Sequence, residues 1–238
     1  MRGAIVTGGS SGIGLAVARI LCEGGHAVTV TGRRPEKLEA AVAGLEGLGG
    51  CVQGVAGDIS DPGTIIEIVG RHEAFSGRVD VLFNNAGVGI GRPVEAIRDS
   101  EVELEFGVNL RAVILMYRAA LPQLRVAAAE SGNVIVINNA SLGGKRPVAI
   151  ASSYSAMKAG VVAFTASMNR ELGAQGIKST ALCPAYVDTE MTSWLRDDLP
   201  AEEMLTAADV AGAVRWLLST SRRVVVPEIE LTRPGDVL

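Results

Sequence analysis

Tyr154 and Lys158 stand four residues apart in the segment Tyr154-Ser155-Ala156-Met157-Lys158. On a helix this spacing puts both side chains on one face, within reach of each other. A free phenol titrates near about pH 10, too high for ready proton exchange at neutral pH, and an adjacent ammonium favours the phenolate. A tyrosine tuned in this way can protonate a carbonyl oxygen or deprotonate an alcohol. Alone, the pattern more often means a partly buried tyrosine beside a solvated lysine. Ser141 lies thirteen positions earlier, just after the apolar run 134–138. A hydroxyl at the C-terminal end of a strand is well placed to meet a ligand.

The first residues carry a second chemical signal. Thr7-Gly8-Gly9-Ser10-Ser11-Gly12-Ile13-Gly14 follows the apolar run 4–6 and opens a helical pattern. Missing Cβ atoms let a backbone approach a pyrophosphate closely, and a helix N-terminus offers unpaired N–H groups and the positive end of its dipole. The spacing is G-x-x-x-G-x-G, and it lacks the Gly-Lys-Ser/Thr ending of a triphosphatase phosphate loop. An ordinary glycine-rich strand–helix turn is the alternative. About 20 residues beyond such a turn, an acidic residue would bond the ribose 2′-hydroxyl of NAD. This chain has Thr31-Gly32-Arg33-Arg34 there, with no carboxylate until Glu36. A guanidinium can clamp a 2′-phosphate bidentately and stack on adenine. NADP(H) is therefore expected over NAD(H), unless the two arginines only solubilise a loop.

Taken in order, the glycine turn, Asn84-Asn85-Ala86-Gly87, Asn109, Ser141 and Tyr154-x-x-x-Lys158 resemble the short-chain dehydrogenase/reductase family over nearly the whole chain. The resemblance implies a hydride transfer between a nicotinamide and a carbonyl or alcohol. It makes Tyr154 the general acid/base, Lys158 the group that lowers its pKa, and Ser141 a donor to the substrate oxygen. Asn109 would help to hold a water in a proton relay from the lysine to solvent. The cofactor set it implies is Gly8, Ser10, Ser11, Gly12, Ile13 and Gly14 at the pyrophosphate, and Arg33 and Arg34 at the adenosine ribose. Asp58 and Ile59 would meet the adenine, although Asp58 with Ser60-Asp61-Pro62 equally suits the start of a helix. Asn85, Ala86 and Gly87 would steady the sheet and approach the ribose. Pro184, Val187 and Thr189 would surround the nicotinamide, with Tyr154 and Lys158 also against the cofactor. Ala185 stands where the family usually has Gly, which restricts the loop if positive φ is required.

The elements needed to position these groups are legible. Apolar runs at 4–6, 27–31, 51–55, 79–83, 134–138 and 178–182 read as strands buried on both faces. Helical patterns fill 12–24, 36–48, 62–74, 101–125 and 155–173, and a last helix at 207–219 precedes a strand near 227–232. Repeated strand–helix units imply a parallel sheet with right-handed crossovers. The expected fold is α/β, a single Rossmann-type doubly wound domain over 1–238, with about seven strands and helices on both faces. The 155–173 helix is small or apolar on most sides, so one face should cover the sheet and another either a second subunit or the chain's own C-terminal segment. The family's habit of dimerising or tetramerising through this helix favours a homo-oligomer.

Bulk properties agree. The chain has 238 residues, 48% hydrophobic and 20% charged, with net charge −4. That balance is globular and gives no basic footprint for nucleic acid. Cys22, Cys51 and Cys183 form no metal-like or disulfide-like spacing, and His26 and His72 have no ligand partners in sequence, so no metal site is expected. Without an apolar leader or a stretch of about 20 apolar residues, a cytoplasmic protein with no membrane contact is expected.

Segments 89–93, 142–150 and 191–205 should wall the substrate pocket, the last as a lid or as a surface helix. Lys145 and Arg146 would draw an anionic substrate, or are ordinary loop charges. The leading expectation is an NADP(H)-dependent oxidoreductase acting on a small-molecule ketone, aldehyde or secondary alcohol. An NADP(H)-binding sensor or scaffold without turnover is the alternative from another class, and reduction of a carbon–carbon double bond is a third.

Overall fold

The computed structural model describes residues 1–234. Its centre is a seven-stranded, wholly parallel sheet in the order β3-β2-β1-β4-β5-β6-β7. The strands are β1 Gly3–Val6, β2 Ala27–Gly32, β3 Cys51–Ala56, β4 Val81–Asn84, β5 Val134–Asn139, β6 Ile177–Pro184 and β7 Glu228–Leu231. The helices are α1 Gly12–Glu23, α2 Pro35–Ala43, α3 Pro62–Ser76, α4 Asp99–Glu105, α5 Ala112–Ser131, α6 Ser152–Leu172 and α7 Ala207–Ser219. This is the expected Rossmann-type architecture. The chain reverses its direction of growth between β1 and β4, which opens a crevice at the C-terminal ends of those strands.

Period-two alternation divides the core in two. Ala4, Val6, Val81, Phe83, Ile135 and Ile137 face one cluster with Val17 and Leu21 of α1 and Val210 and Val214 of α7. Ile5, Leu82, Val134 and Val136 face the other, with Ile65 and Ile68 of α3, Met116 and Tyr117 of α5, and Leu172 of α6. A strand apolar on both faces needs helices on both, and this layering supplies them.

Three element boundaries differ from the sequence reading. Helix α2 stops at Ala43, not at 48, because Gly44 and the left-handed Gly47 (φ 78°) break it. Leu45 nevertheless stays fully buried beyond the helix end. The pattern read as one helix over 101–125 is α4, a π-helical turn Phe106–Arg111, and α5. The latter continues past Pro122 to Ser131, where left-handed Gly132 ends it. The continuous helical stretch Asp99–Ser131 is long and apolar enough to cross a bilayer by length and composition. Half of its most apolar window is buried in the fold, with Val113, Met116, Tyr117, Ala120 and Leu124 in the core, while Ile114 and Val126 are exposed.

On its outer side helix α6 decides between the two covers expected for it. Val161, Thr165 and Leu172 are buried, while Ala156, Ala159, Ala163 and Ala166 are exposed, so the described C-terminal residues do not cover that face. β7 instead pairs with β6 at the sheet edge.

Candidate active site

The glycine turn bridges β1 and α1. Gly8 (φ 64°) and Gly12 (φ 52°) take left-handed backbone that other residues rarely adopt. A Cβ on Gly14 would lie 2.2 Å from the Gly8 carbonyl oxygen, so the turn closes only with glycine there. The Asn85 amide donates to the Thr7 and Gly8 carbonyls at 3.0 and 3.2 Å, tying the turn to the end of β4. Ser11, at the N-cap of α1, makes no side-chain capping bond, and no acidic residue stands in the first turn. The helix start thus keeps open donors and a positive dipole end. This cradle fits the pyrophosphate of a dinucleotide, with Ser10, Ser11 and Ile13 on its rim.

At the end of β2 the two arginines separate. Arg33 is exposed and makes no ion pair among the described residues. Arg34 donates to both carboxylate oxygens of Glu190 at 2.9 and 3.1 Å, and Lys37 reaches the same carboxylate at 2.5 Å. Of the expected ribose pair, then, only Arg33 is uncommitted. Asp58 is exposed, and its Oδ1 accepts from the Ser60 N–H and hydroxyl at 2.9 and 2.8 Å. The cap of α3 is Asp61, which accepts from the Thr64 N–H at 2.8 Å. Asp58 therefore shapes the turn before the helix without capping it. Ile59 is buried beneath it.

On the nicotinamide side, Pro184 ends β6 and Val187 is buried. Thr189 lies against the glycine turn: a Cβ on Gly12 would come within 3.0 Å of its Cγ2. Ala185 has no positive φ, so its side chain costs the loop nothing, contrary to expectation. The segment beyond is two 3₁₀ turns, Glu190–Leu195 and Ala201–Glu203, with Met191 and Trp194 exposed. Met191 Sδ and the Tyr154 ring edge both flank Gly89, 3.9 and 4.0 Å from where a Cβ would stand. The 89–93 and 191–205 walls therefore do meet at Tyr154.

The four residues expected to do the chemistry converge. Ser141 follows β5, and its Oγ accepts from the Gly143 N–H at 3.0 Å, which leaves its proton free to point onward. Its Oγ and the Tyr154 ring edge both flank Gly143, 3.4 and 3.8 Å from where a Cβ would stand. Lys158 Nζ sits 5.7 Å from the Tyr154 ring centroid and donates to the Asn139 carbonyl at 2.8 Å. The π turn aims Asn109 inward, where Oδ1 accepts from the Val88 N–H at 2.9 Å and Nδ2 donates to the Val88 carbonyl at 2.8 Å. Asn109 Oδ1 and Lys158 Nζ both lie close to Gly87, 3.2 and 3.7 Å from a Cβ built there. Gly87 therefore makes room for these two groups.

Burial sets the electrostatics of this pair. Burial pushes the Tyr154 phenol above its ordinary value; the Ser141 hydroxyl opposes this, and Glu105 and Tyr186 add to it. Burial also lowers Lys158 from 10.5 to about 8. Desolvation thus disfavours the charged form of both groups in the chain by itself. Of the two readings of Lys145 and Arg146, the ion pairs favour ordinary loop charges. Lys145 is paired with Glu228 at 2.8 Å and Arg146 with Glu230 at 3.4 Å, so they fasten a loop to β7 and are not free to draw a substrate.

Sequence reasoning missed Glu105, fully buried beside this set. The available signal was its spacing: Glu101, Glu105, Val108 and Ala112 repeat on one helical stripe, and all four are buried. The two histidines lie elsewhere. His72 bonds Thr29 and the Arg78 carbonyl next to Gly3, at the opposite end of β1, and His26 bonds the Leu21 carbonyl.

Known proteins share this arrangement. The family model described as short chain dehydrogenase matches residues 2–200. The chain is 36% identical to the 3-oxoacyl-[acyl-carrier-protein] reductase FabG of Chlamydia pneumoniae over 198 residues, 83% of this chain and 78% of that protein. It is 40% identical to the granaticin polyketide synthase putative ketoacyl reductase 1 of Streptomyces violaceoruber over 195 residues, 82% and 71%. Among solved structures it is similar to a 3-ketoacyl-(acyl-carrier-protein) reductase of Brucella melitensis complexed with NADH (TM-score 0.90, 28% identity, 100% and 98% of the two chains). It is also similar to an actinorhodin polyketide ketoreductase variant with NADPH (TM-score 0.86, 29% identity, 97% and 94%). With the family model covering most of its length and the glycine cradle and Ser-Tyr-Lys cluster in place, the chain belongs to the short-chain dehydrogenase family, NAD(P)-dependent oxidoreductases acting on C=O or CH–OH groups.

Proposed function

We propose that the protein is an NADP(H)-dependent ketoreductase, with reduction as its working direction. The observation that carries this is the convergence of the Ser141 hydroxyl, the Tyr154 phenol and the Lys158 ammonium beside an uncapped, glycine-rich helix start. A bound nicotinamide would supply the hydride that reaches the carbonyl carbon. Tyr154 donates its proton to the carbonyl oxygen, and Ser141 donates a hydrogen bond to the same oxygen as charge develops on it. The product is a secondary alcohol and a phenolate. Lys158 stabilises that phenolate, and the oxidised, cationic ring acts in the same sense, opposing the upward push of burial on Tyr154. Asn109 and Lys158, adjacent across Gly87, complete a water-linked path by which the phenolate is reprotonated.

NADP(H) preference rests on Arg33, exposed and uncommitted after β2, and on the absence of a carboxylate there. Substrate class follows from the relatives, named as ketoacyl reductases, and from the exposed apolar Ile150 and Met191 on the walls near Gly89 and Gly91, which suit an acyl chain better than a sugar. The exposed small face of α6 supports a homodimer or homotetramer, and a cytoplasmic location accords with three unbridged cysteines.

The test of cofactor choice is steady-state kinetics with both dinucleotides. Arg33→Ala should raise the KM for NADPH by about 10- to 100-fold, the worth of a charge-assisted phosphate contact, and leave that for NADH unchanged. Faster turnover with NADH in the unmodified protein would sink the Arg33 argument.

A further inference from the structure

Glu105 is a fully buried carboxylate that the proton-transfer set does not use. It ends α4, on a stripe where an apolar side chain would fill the core without desolvating a charge. Among the described residues it forms no ion pair. Its oxygens are instead held by two donors from different parts of the pocket. The Ile90 N–H donates to Oε1 at 2.9 Å, and the Ser153 hydroxyl donates to Oε2 at 2.5 Å. Ile90 belongs to the pocket wall that begins at Gly89, and Ser153 directly precedes Tyr154 in the first turn of α6. The same wall is fixed again two residues on. Arg92 Nε donates to Glu101 at 2.8 Å, and the Arg92 N–H to the carbonyl of Ile150 at 2.6 Å. Ile150 takes a left-handed backbone (φ 58°) unusual for a β-branched residue. The loop before α6 is thus held in an unfavourable conformation by contacts that start from α4.

We propose that Glu105 is a positioning residue for carbonyl reduction: it locks the substrate wall at Ile90 to the helix turn carrying Tyr154. This rests on the reading of Tyr154 as the general acid.

Glu105→Gln keeps both bonds, with Oε1 accepting from Ile90 and Nε2 donating to Ser153, but removes the charge. Glu105→Leu removes both. The measurement is the kinetics of NADPH-driven reduction of a small diketone by each variant and by Tyr154→Phe. In Glu105→Gln, KM for the diketone should be unchanged. In Glu105→Leu, KM should rise about tenfold, as the wall at Ile90 is no longer held to the turn carrying Tyr154. An unchanged KM in a folded Glu105→Leu would overturn the positioning role. Undiminished turnover in Tyr154→Phe would sink the underlying reading instead, while KM in the two Glu105 variants still judges Glu105.

Discussion

Lys158 illustrates what the site costs the fold. Its ammonium is held in the interior with one hydrogen bond, to the Asn139 carbonyl, and burial lowers its pKa from 10.5 to about 8. Below pH 8 both folded and unfolded chains hold the proton, and the folded state bears the full desolvation cost, about 3 kcal/mol. Between 8 and 10.5 the unfolded chain binds more protons, so stability rises with pH; above that range the penalty is gone. Replacing the lysine by methionine removes the charge but leaves the carbonyl unpaired, at about 1–3 kcal/mol. Lys158→Met should therefore be inactive yet melt a few degrees higher than wild type at pH 7, with the difference shrinking toward pH 10. Calorimetry across that range checks it, and a less stable variant at pH 7 would show that the lysine stabilises the fold.

Among the elements, closeness of backbone is what sets the geometry. The 3₁₀ turn Leu142–Gly144 presses on α6 so tightly that a Cβ on Gly144 would stand 2.7 Å from the Lys158 carbonyl carbon and 2.8 Å from the Ala159 nitrogen. Gly144→Ala must push the Ser141 loop away from Tyr154 and Lys158. It should cost about 1–3 kcal/mol in denaturant melts and lower kcat while NADPH affinity holds. Equal losses in both would mean that the change spreads to the cofactor cradle. Strand positions and the glycine turn were legible in the sequence because each follows from local composition: apolar runs for buried strands, clustered glycines for left-handed turns. Ser141, Tyr154 and Lys158 were legible as a set through the family resemblance; helix spacing by itself joined only Tyr154 and Lys158. Three features were not. The π turn that aims Asn109 inward leaves no mark on periodicity at the scale of one turn. Arg34–Glu190 and Lys145–Glu228 pair across 156 and 83 residues, so only the folded chain reveals which basic groups are already engaged. The burial of Tyr154 and Lys158, which disfavours the charged form of each, was hidden because helix spacing says nothing of depth.

At the scale of the molecule, the outer face of α6 is a stripe of exposed alanines at 156, 159, 163 and 166, and the adjacent α5 exposes Ile114 and Val126. Small residues let two helices approach closely, and such a face on both partners suits an isologous interface. Ala163→Arg should convert a dimer or tetramer to smaller species in light scattering, with Tyr154 chemistry weakened but present. A monomeric wild type would contradict this use of the face. The central claim, though, is that the whole fold exists to set one phenol beside a carbonyl. The measurement that tests it most directly is NADPH oxidation by wild type and Tyr154→Phe against ketones, ketoacyl thioesters and diketones, with NADPH binding measured in parallel. The account predicts turnover in wild type, a loss of at least about a thousandfold in Tyr154→Phe, and equal NADPH affinity in both. Tight NADPH binding by both proteins, with equal turnover or with none on any carbonyl, would contradict it, the latter pointing to a sensor of the dinucleotide.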